Sequence, residues 1–480
     1  MQADSNRREP ANPYLCNMEP KSIAFHHFGC KVNFAEASSL SRQFKENGFL
    51  LKDFREIADV YVISTCVVTA VAEKKCRAAI RQAHHMNPEA KIAVIGCFPE
   101  LMPDELKSME GVSLVLGHSA KFALLDQVER LMNNPAASSG VSKSLELLSP
   151  QEAGNGSSSA GGGFHPSTNG QPIVAADTDF VPSWSIGDRT RSFVKIQDGC
   201  DYYCSYCTIP LARGHSRSDT TDNVLHNVQE AVRAGAKEIV LTGVNIGDFG
   251  RNSDETFTGL LRKLEDFSEA PRIRISSIEP DLLNDEVIEL IASSGKFMPH
   301  FHIPLQSGSD RILKLMKRKY DIELFESRIR KIRNLLPPAC IASDVIVGFP
   351  GESEDDFRKT FDFIEGLELS YLHVFSYSRR ANTLAANMDK PVRDKIKKQR
   401  SELLHQLSDS KKRAFYLKHK GMKANVLFES DNSSGFMHGF TENYIKVKTK
   451  FNPNLVNRIK PVILDNLGEE LCYEVDTRDV

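Results

Sequence analysis

Three cysteines, Cys200, Cys204 and Cys207, stand close together in the stretch KIQDGCDYYCSYCTIP at residues 195–210. The C-x3-C-x2-C spacing lets three thiolates hold three corners of a [4Fe–4S] cube and leaves the fourth iron open to a small molecule. Two other chemistries fit the same residues. Cys204 and Cys207 alone make a C-x-x-C pair of the redox kind. Zinc would need a fourth ligand, for which the nearby sequence offers only His215.

A second set of cysteines, Cys30, Cys66 and Cys97, occurs in GCKVN, STCVVT and GCFPE. Each falls one or two residues past a short apolar run, at residues 22–28, 59–64 and 91–95, and a fourth run at 112–116 continues the series. Helical stretches separate the runs, which predicts a parallel, doubly wound α/β sheet. In such a sheet the carboxyl ends of the strands share the edge where ligands bind. The three thiols then converge on one crevice and form a second iron–sulfur site; the alternative is three small buried hydrophobes. Gly29 and Gly96 precede two of them and suit a tight turn around a bulky group. Cys76 lies inside a helical pattern and reads as packing, while Cys16, Cys340 and Cys472 have no partners at ligand spacing. The pairs His26-His27 and His84-His85 read as strand or surface residues.

The elements that must position these cysteines follow from length and composition. A chain of 480 residues with 41% hydrophobic residues can bury several cores. A formal net charge of -2 excludes a polycation, so any nucleic-acid contact must come from local patches. No apolar run approaches about 18 residues, so no membrane span is expected. The first residues are polar and broken by proline, without the apolar segment of a signal peptide. A cytoplasmic protein is expected, with its ten cysteines as ligands or buried thiols.

The pattern divides the chain into a tail at 1–20, a cluster-binding α/β domain at 21–135, a Ser/Gly/Asn-rich linker at 136–185, a central domain at 186–415 and a small terminal domain at 416–480. In the central domain, strand-like runs at 193–197, 238–242, 272–276, 301–305, 340–347 and 371–377 predict an incomplete (βα)6 barrel. Its functional groups would lie just past the carboxyl ends of the strands. Those positions hold TGVN, SSIE, QSGSD and GFPGE. Together they rim one mouth with Cys200, Cys204 and Cys207, as a polar cofactor would require. A charged helical segment covers 393–420. Beyond it, runs at 422–429, 435–440, 444–449, 460–464 and 470–475 predict a small β-barrel. There Lys446, Lys448 and Lys450 with Phe436, Phe440 and Tyr444 read either as an RNA-contacting surface or as a solvated strand face over a packed core.

C-x3-C-x2-C with an aromatic, Tyr206, just before the third cysteine resembles the signature of radical S-adenosylmethionine (SAM) enzymes. By that resemblance Cys200, Cys204 and Cys207 hold the catalytic cluster and Tyr206 lies near the adenine of SAM. Gly243 and Asn245 face its methionine portion, Glu279 its ribose, and Val347, Gly348 and Phe349 its adenine. The three parts in this order resemble the methylthiotransferases, whose N-terminal domain carries a second [4Fe–4S] cluster on three cysteines and whose C-terminal TRAM domain binds RNA. That resemblance implies two [4Fe–4S] clusters, the second on Cys30, Cys66 and Cys97. It also implies SAM as methyl donor and radical source, tRNA as substrate, and separate electron and sulfur donors. GCKVN, RISSIEP, HIPLQSGSD and DVIVGFPGE look most like the branch that modifies N6-threonylcarbamoyladenosine at position 37 of tRNA. A branch acting on isopentenyladenosine, which typically carries GCQMN, and one acting on a ribosomal protein are the alternatives. An iron–sulfur RNA-binding or redox-sensing protein without turnover is an alternative of another class. The sequence departs from the pattern at Thr383-Leu384-Ala385, where a proline is expected after the threonine.

Overall fold

The alternating apolar runs at the start of the chain fold into five strands. They are β1 (Ser22–His27), β2 (Leu50–Lys52), β3 (Val60–Thr65), β4 (Lys91–Gly96) and β5 (Val112–Leu116), all parallel, in the order β2-β1-β3-β4-β5. The computed structural model describes residues 20–66, 70–133, 179–187 and 190–476. The expected tail and most of the expected linker lie outside the described residues. All six residues of β3 are buried, as a continuous apolar strand covered on both faces must be. The edge strand β2 was not anticipated, because its three residues carry too little pattern and two of them are exposed. The strand order reverses between β1 and β3, the switch point where such sheets bind ligands. Cys30 and Cys66 leave the chain at the ends of those two strands.

The central domain begins with β6 (Ser183–Trp184) and β7 (Ser192–Lys195), followed by a short antiparallel pair, β8 (Gln197–Asp198) and β9 (Arg217–Ser218). It continues with β10 (Glu238–Thr242), β11 (Arg272–Ile275), β12 (His300–His302), β13 (Cys340–Val347) and β14 (Tyr371–Ser376). Parallel ladders join β7, β10 and β11, and again β12, β13 and β14. Bridges from Ile273 to Phe297 and from Ser277 to His302 connect the halves. Six parallel strands therefore wrap an open barrel, with β6 pairing antiparallel on the outer edge of β7. Among the described residues no ladder joins β14 to β7. The helices between the strands start where side chains can accept the first free N–H groups. Thr220 accepts from Asn223, Asn284 from Val287 and Asp321 from Leu324, while Ser353 and Asp356 form a capping box. Of the run at 301–305 only Phe301 and His302 belong to a strand, because Pro304 has no N–H to give a ladder.

The charged segment forms one helix, Asp394–Lys418, with Leu404 in the barrel core and Leu403 exposed. It leads into β15 (Lys423–Phe428), β16 (Phe436–Phe440), β17 (Lys446–Lys450), β18 (Ile459–Ile463), β19 (Asn466–Leu467) and β20 (Tyr473–Glu474). These curl into one sheet in the order β18-β15-β16-β17-β20-β19. The sheet docks on the amino-terminal ends of the barrel strands. Arg274 donates to the Glu442 carbonyl at 3.0 Å and lies over the Tyr444 ring, and His300 packs against that tyrosine at 4.8 Å.

Buried charge joins the first domain to the barrel. Glu36, on the helix Lys31–Glu46, accepts from Lys121 at 2.6 Å, Lys195 at 3.0 Å and Arg213 at 3.2 Å. Asp198 accepts from Arg213 at 2.7 Å and from Lys195 and Arg217 at 3.4 Å. Burial outweighs the neighbouring Asp198 at His118, whose pKa falls to about 4. In the neutral ring Nδ1 accepts from Lys121 at 3.0 Å and Nε2–H donates to Asp198 at 3.2 Å. An unfolded histidine titrates near 6.5, so between about 6.5 and 4 the unfolded chain binds the extra proton. Stability is expected to fall as pH drops through that window, and His118→Gln is expected to flatten the slope in denaturant titrations at pH 7 and pH 5.

Candidate active site

The first cysteine triplet follows β8. Gly199 has φ +69°, and a Cβ there would lie 1.9 Å from the His215 carbonyl oxygen, so only glycine lets the chain turn into Cys200. The Cys200 N–H donates to the Gly214 carbonyl at 3.1 Å, and the Cys207 N–H to the Cys204 carbonyl at 3.0 Å. Gln197 ties this loop to the one after β10. Its amide N donates to the Gly199 carbonyl at 2.8 Å, while its oxygen accepts from the N–H groups of Val244 and Asn245 at 3.0 and 2.7 Å. Asn245 is buried with both amide atoms unpartnered among the described residues, a state that a polar ligand would relieve.

Burial pushes the thiols of Cys200 and Cys204 up and that of Cys207 up to about 12. Such thiols ionise readily only when a metal takes the proton's place. Arg318 donates to Cys204 Sγ at 3.0 Å and pairs with Glu279, and the Ile209 N–H lies 3.5 Å from Cys207 Sγ. A cation and a backbone donor aimed at sulfur fit a thiolate-ligated cluster. His215, the one nearby ligand for zinc, gives Nδ1 to Asp201 at 2.8 Å and to Tyr203 at 3.1 Å. The expected SAM residues lie around the same mouth. Gly243 sits against Gln197, and Val347 and Phe349 are fully buried. The rings of Tyr206, Phe349 and Tyr377 form a wall with centroids 6.4 and 5.6 Å apart. Glu279 is engaged by Arg318, and burial raises its pKa to about 7.

The second triplet sits at the carboxyl ends of β1, β3 and β4. Cys30 caps the helix Lys31–Glu46, Cys66 follows β3, and Cys97 opens the helix Cys97–Leu101. Two side chains lace these turns together. Asn33 Nδ2 donates to the Thr65 carbonyl at 2.7 Å, and Thr65 Oγ1 donates to the Ile95 carbonyl at 2.8 Å while accepting from the Phe98 N–H at 3.3 Å. A Cβ on Gly29 would fall 2.5 Å from Cys66 Cβ, so glycine allows the close approach. Burial also raises the Cys97 thiol, with Arg213 acting against it. Cys76 is fully buried in the first domain's core, as expected of a packing residue.

One short helix, Ile209–Arg213, stands between the two triplets. It begins two residues after Cys207. Its Ala212 is buried against Cys97 and Phe98 in the first domain's core, and its Arg213 binds both Asn33 and Glu36. Beside it a cavity of about 230 Å³ is lined by Tyr206, Cys207, Gln306, Asp344, Tyr377 and Arg380. Sequence reasoning missed Glu36, Gln197, Arg213, Arg318 and Arg380. Of these, Glu36, Gln197 and Arg213 lie within six residues of a triplet cysteine and could have been weighed.

Residues 194–364 match the family described as the radical SAM superfamily, and residues 22–117 match the uncharacterized protein family UPF0004. The open barrel with its cysteine loop defines a radical SAM protein. The chain is 37% identical over 453 residues to threonylcarbamoyladenosine tRNA methylthiotransferase MtaB of Bacillus subtilis, covering 93% of this chain and 94% of the relative. It is 34% identical to MtaB of Aquifex aeolicus, over 89% of this chain and 96% of that one. The chain belongs to the MtaB family of tRNA methylthiotransferases. At 28% identity it also resembles tRNA-2-methylthio-N(6)-dimethylallyladenosine synthase of Desulfitobacterium hafniense, over 93% of this chain and 95% of that one. Its fold is shared with the radical SAM methyltransferase TsrM of Kitasatospora setae, with a TM-score of 0.52 at 15% identity over 77% of each chain.

Proposed function

We propose that this enzyme places a methylthio group on C2 of N6-threonylcarbamoyladenosine at position 37 of tRNA. The observation that supports the reading is the helix Ile209–Arg213, which begins two residues after Cys207 and buries Ala212 in the same core cluster as Cys97. A [4Fe–4S] cluster on Cys200, Cys204 and Cys207 would supply the electron that splits SAM into methionine and a 5′-deoxyadenosyl radical, and a second on Cys30, Cys66 and Cys97 would carry the sulfur to be methylated. C2–H is not acidic, so proton abstraction by a side chain offers no route.

The chain's own groups bind and orient. Asn245, held by Gln197, takes the polar end of SAM. The wall of Tyr206, Phe349 and Tyr377 takes its adenine, with Val347 and Gly348 shaping that edge and Gly243 leaving room. Arg318 shares its charge between Cys204 and Glu279, which leaves Glu279 able to accept a hydroxyl of the ribose. The units are a first domain to about residue 135, a barrel from about 186 to 415, and a TRAM-like sheet from about 416 that grips RNA with Lys446, Lys448 and Lys450. An electron donor and a sulfur donor complete the reaction, which belongs to the cytoplasm, where tRNA is processed.

The test is anaerobic. Reconstituted protein receives SAM, a reductant and tRNA bearing threonylcarbamoyladenosine, and the digested nucleosides are analysed by mass spectrometry. The 2-methylthio derivative is expected. 5′-Deoxyadenosine without it would assign a different substrate, and neither product from protein with intact clusters would overturn the enzymatic reading.

A further inference from the structure

Arg380 follows β14 and is only 9% exposed on the wall of the cavity beside Cys207. Its Nη1 donates to Glu73 Oε1 at 2.5 Å, whereas Nε and Nη2 have no hydrogen-bond partner among the described residues. Those two N–H groups share one edge of the planar guanidinium and match the spacing of two carboxylate oxygens. Glu73 belongs to the helix Ala70–Met86 of the first domain, so the docked domains fix where that edge points. A desolvated pair of donors without an acceptor is unfavourable in the empty protein and marks a place that a ligand completes.

Asp344, on the same cavity wall, is engaged by His302 at 2.8 Å. The cavity therefore offers a forked donor next to the loop that carries Cys207.

Two anions could answer, the carboxylate of SAM and the carboxylate that ends the N6 substituent of threonylcarbamoyladenosine. Asn245, with both amide atoms unsatisfied, already offers SAM a polar partner in the loop after β10. We propose that Arg380 binds the carboxylate of the N6 substituent and so selects an adenosine with an acidic side chain over one with an apolar or absent one. The assignment rests on the function proposed above and names the part of the site that reads the substrate.

The experiment uses full-length reconstituted protein and three anticodon stem-loop RNAs that differ only at the target adenosine: threonylcarbamoyl, its methyl ester, and unmodified. Affinities come from fluorescence anisotropy, and SAM affinity is measured in parallel by equilibrium dialysis. Wild type is expected to favour the acid over the ester by about tenfold or more, as loss of a charged hydrogen-bond pair implies. Arg380→Gln removes that preference, leaves binding of the unmodified RNA and of SAM within about twofold, and leaves Glu73 its second partner Arg77 at 3.8 Å. Arg380→Lys restores part of the preference.

An Arg380→Gln protein that still separates acid from ester like wild type overturns the proposal. So does a matching loss of SAM affinity, which would give the edge to the carboxylate of SAM. Failure of wild type to methylthiolate the threonylcarbamoyl RNA would instead defeat the functional reading, whereas methylthiolation with unaltered discrimination in Arg380→Gln defeats this assignment alone.

Discussion

Cys200→Ala is expected to abolish 5′-deoxyadenosine formation from SAM, to background, whereas Cys30→Ala leaves that cleavage running and stops methylthiolation. The two cysteines belong to triplets in different domains, each braced by its own hydrogen bonds. Cys200 is held by Gly214 and its loop by Gln197, while Cys30 sits in turns laced by Asn33 and Thr65. Loss of one thiolate from a three-cysteine set removes one of the cluster's three protein ligands. Both products are read from one anaerobic reaction by mass spectrometry, with iron content measured beforehand. Methylthiolated nucleoside from Cys30→Ala would remove the second triplet from the reaction, and deoxyadenosine from Cys200→Ala would remove the first.

The second large effect falls on stability. Glu36→Ala is expected to destabilise the chain by about 3–5 kcal/mol, the range for breaking a buried ion pair from one side. Lys121, Lys195 and Arg213 all converge on Glu36, and their attraction keeps its carboxyl well below the usual range despite complete burial. Without it, those three cations and Arg217 are left with Asp198 alone. Denaturant unfolding of wild type and variant at pH 7 measures the loss. A shift below about 1 kcal/mol would mean that water or the second cysteine site already compensates those charges.

Both cysteine triplets were legible because their signal is local. C-x3-C-x2-C needs no knowledge of the fold, and Cys30, Cys66 and Cys97 could be placed from where apolar runs stop. The barrel was legible for the same reason, with β10 and β13 ending where the pattern ends. The residues that join the parts were not. Arg380 and Glu73 are 307 residues apart, and Arg213 and Asn33 are 180. In sequence Glu73 and Glu36 are acids on amphipathic helices, where a solvated face is the ordinary outcome. Arg318 sits in KRK, which reads as a surface charge run until the fold turns its guanidinium onto Cys204. The short strands β2, β6 and β8 carry too few residues to show a period.

The helix Asp394–Lys418 touches both ends of the working molecule. Near its start Lys397 packs against Gly348, and Arg400 reaches Glu352 at 2.5 Å in the loop after β13. Near its finish Phe415 and Tyr416 enter the core of the terminal sheet. Its 25 residues make a strut of about 37 Å. If the sheet grips RNA as proposed above, the strut would serve as a ruler, and a nucleotide one step nearer or farther along the strand would miss the reacting mouth whatever base it carries.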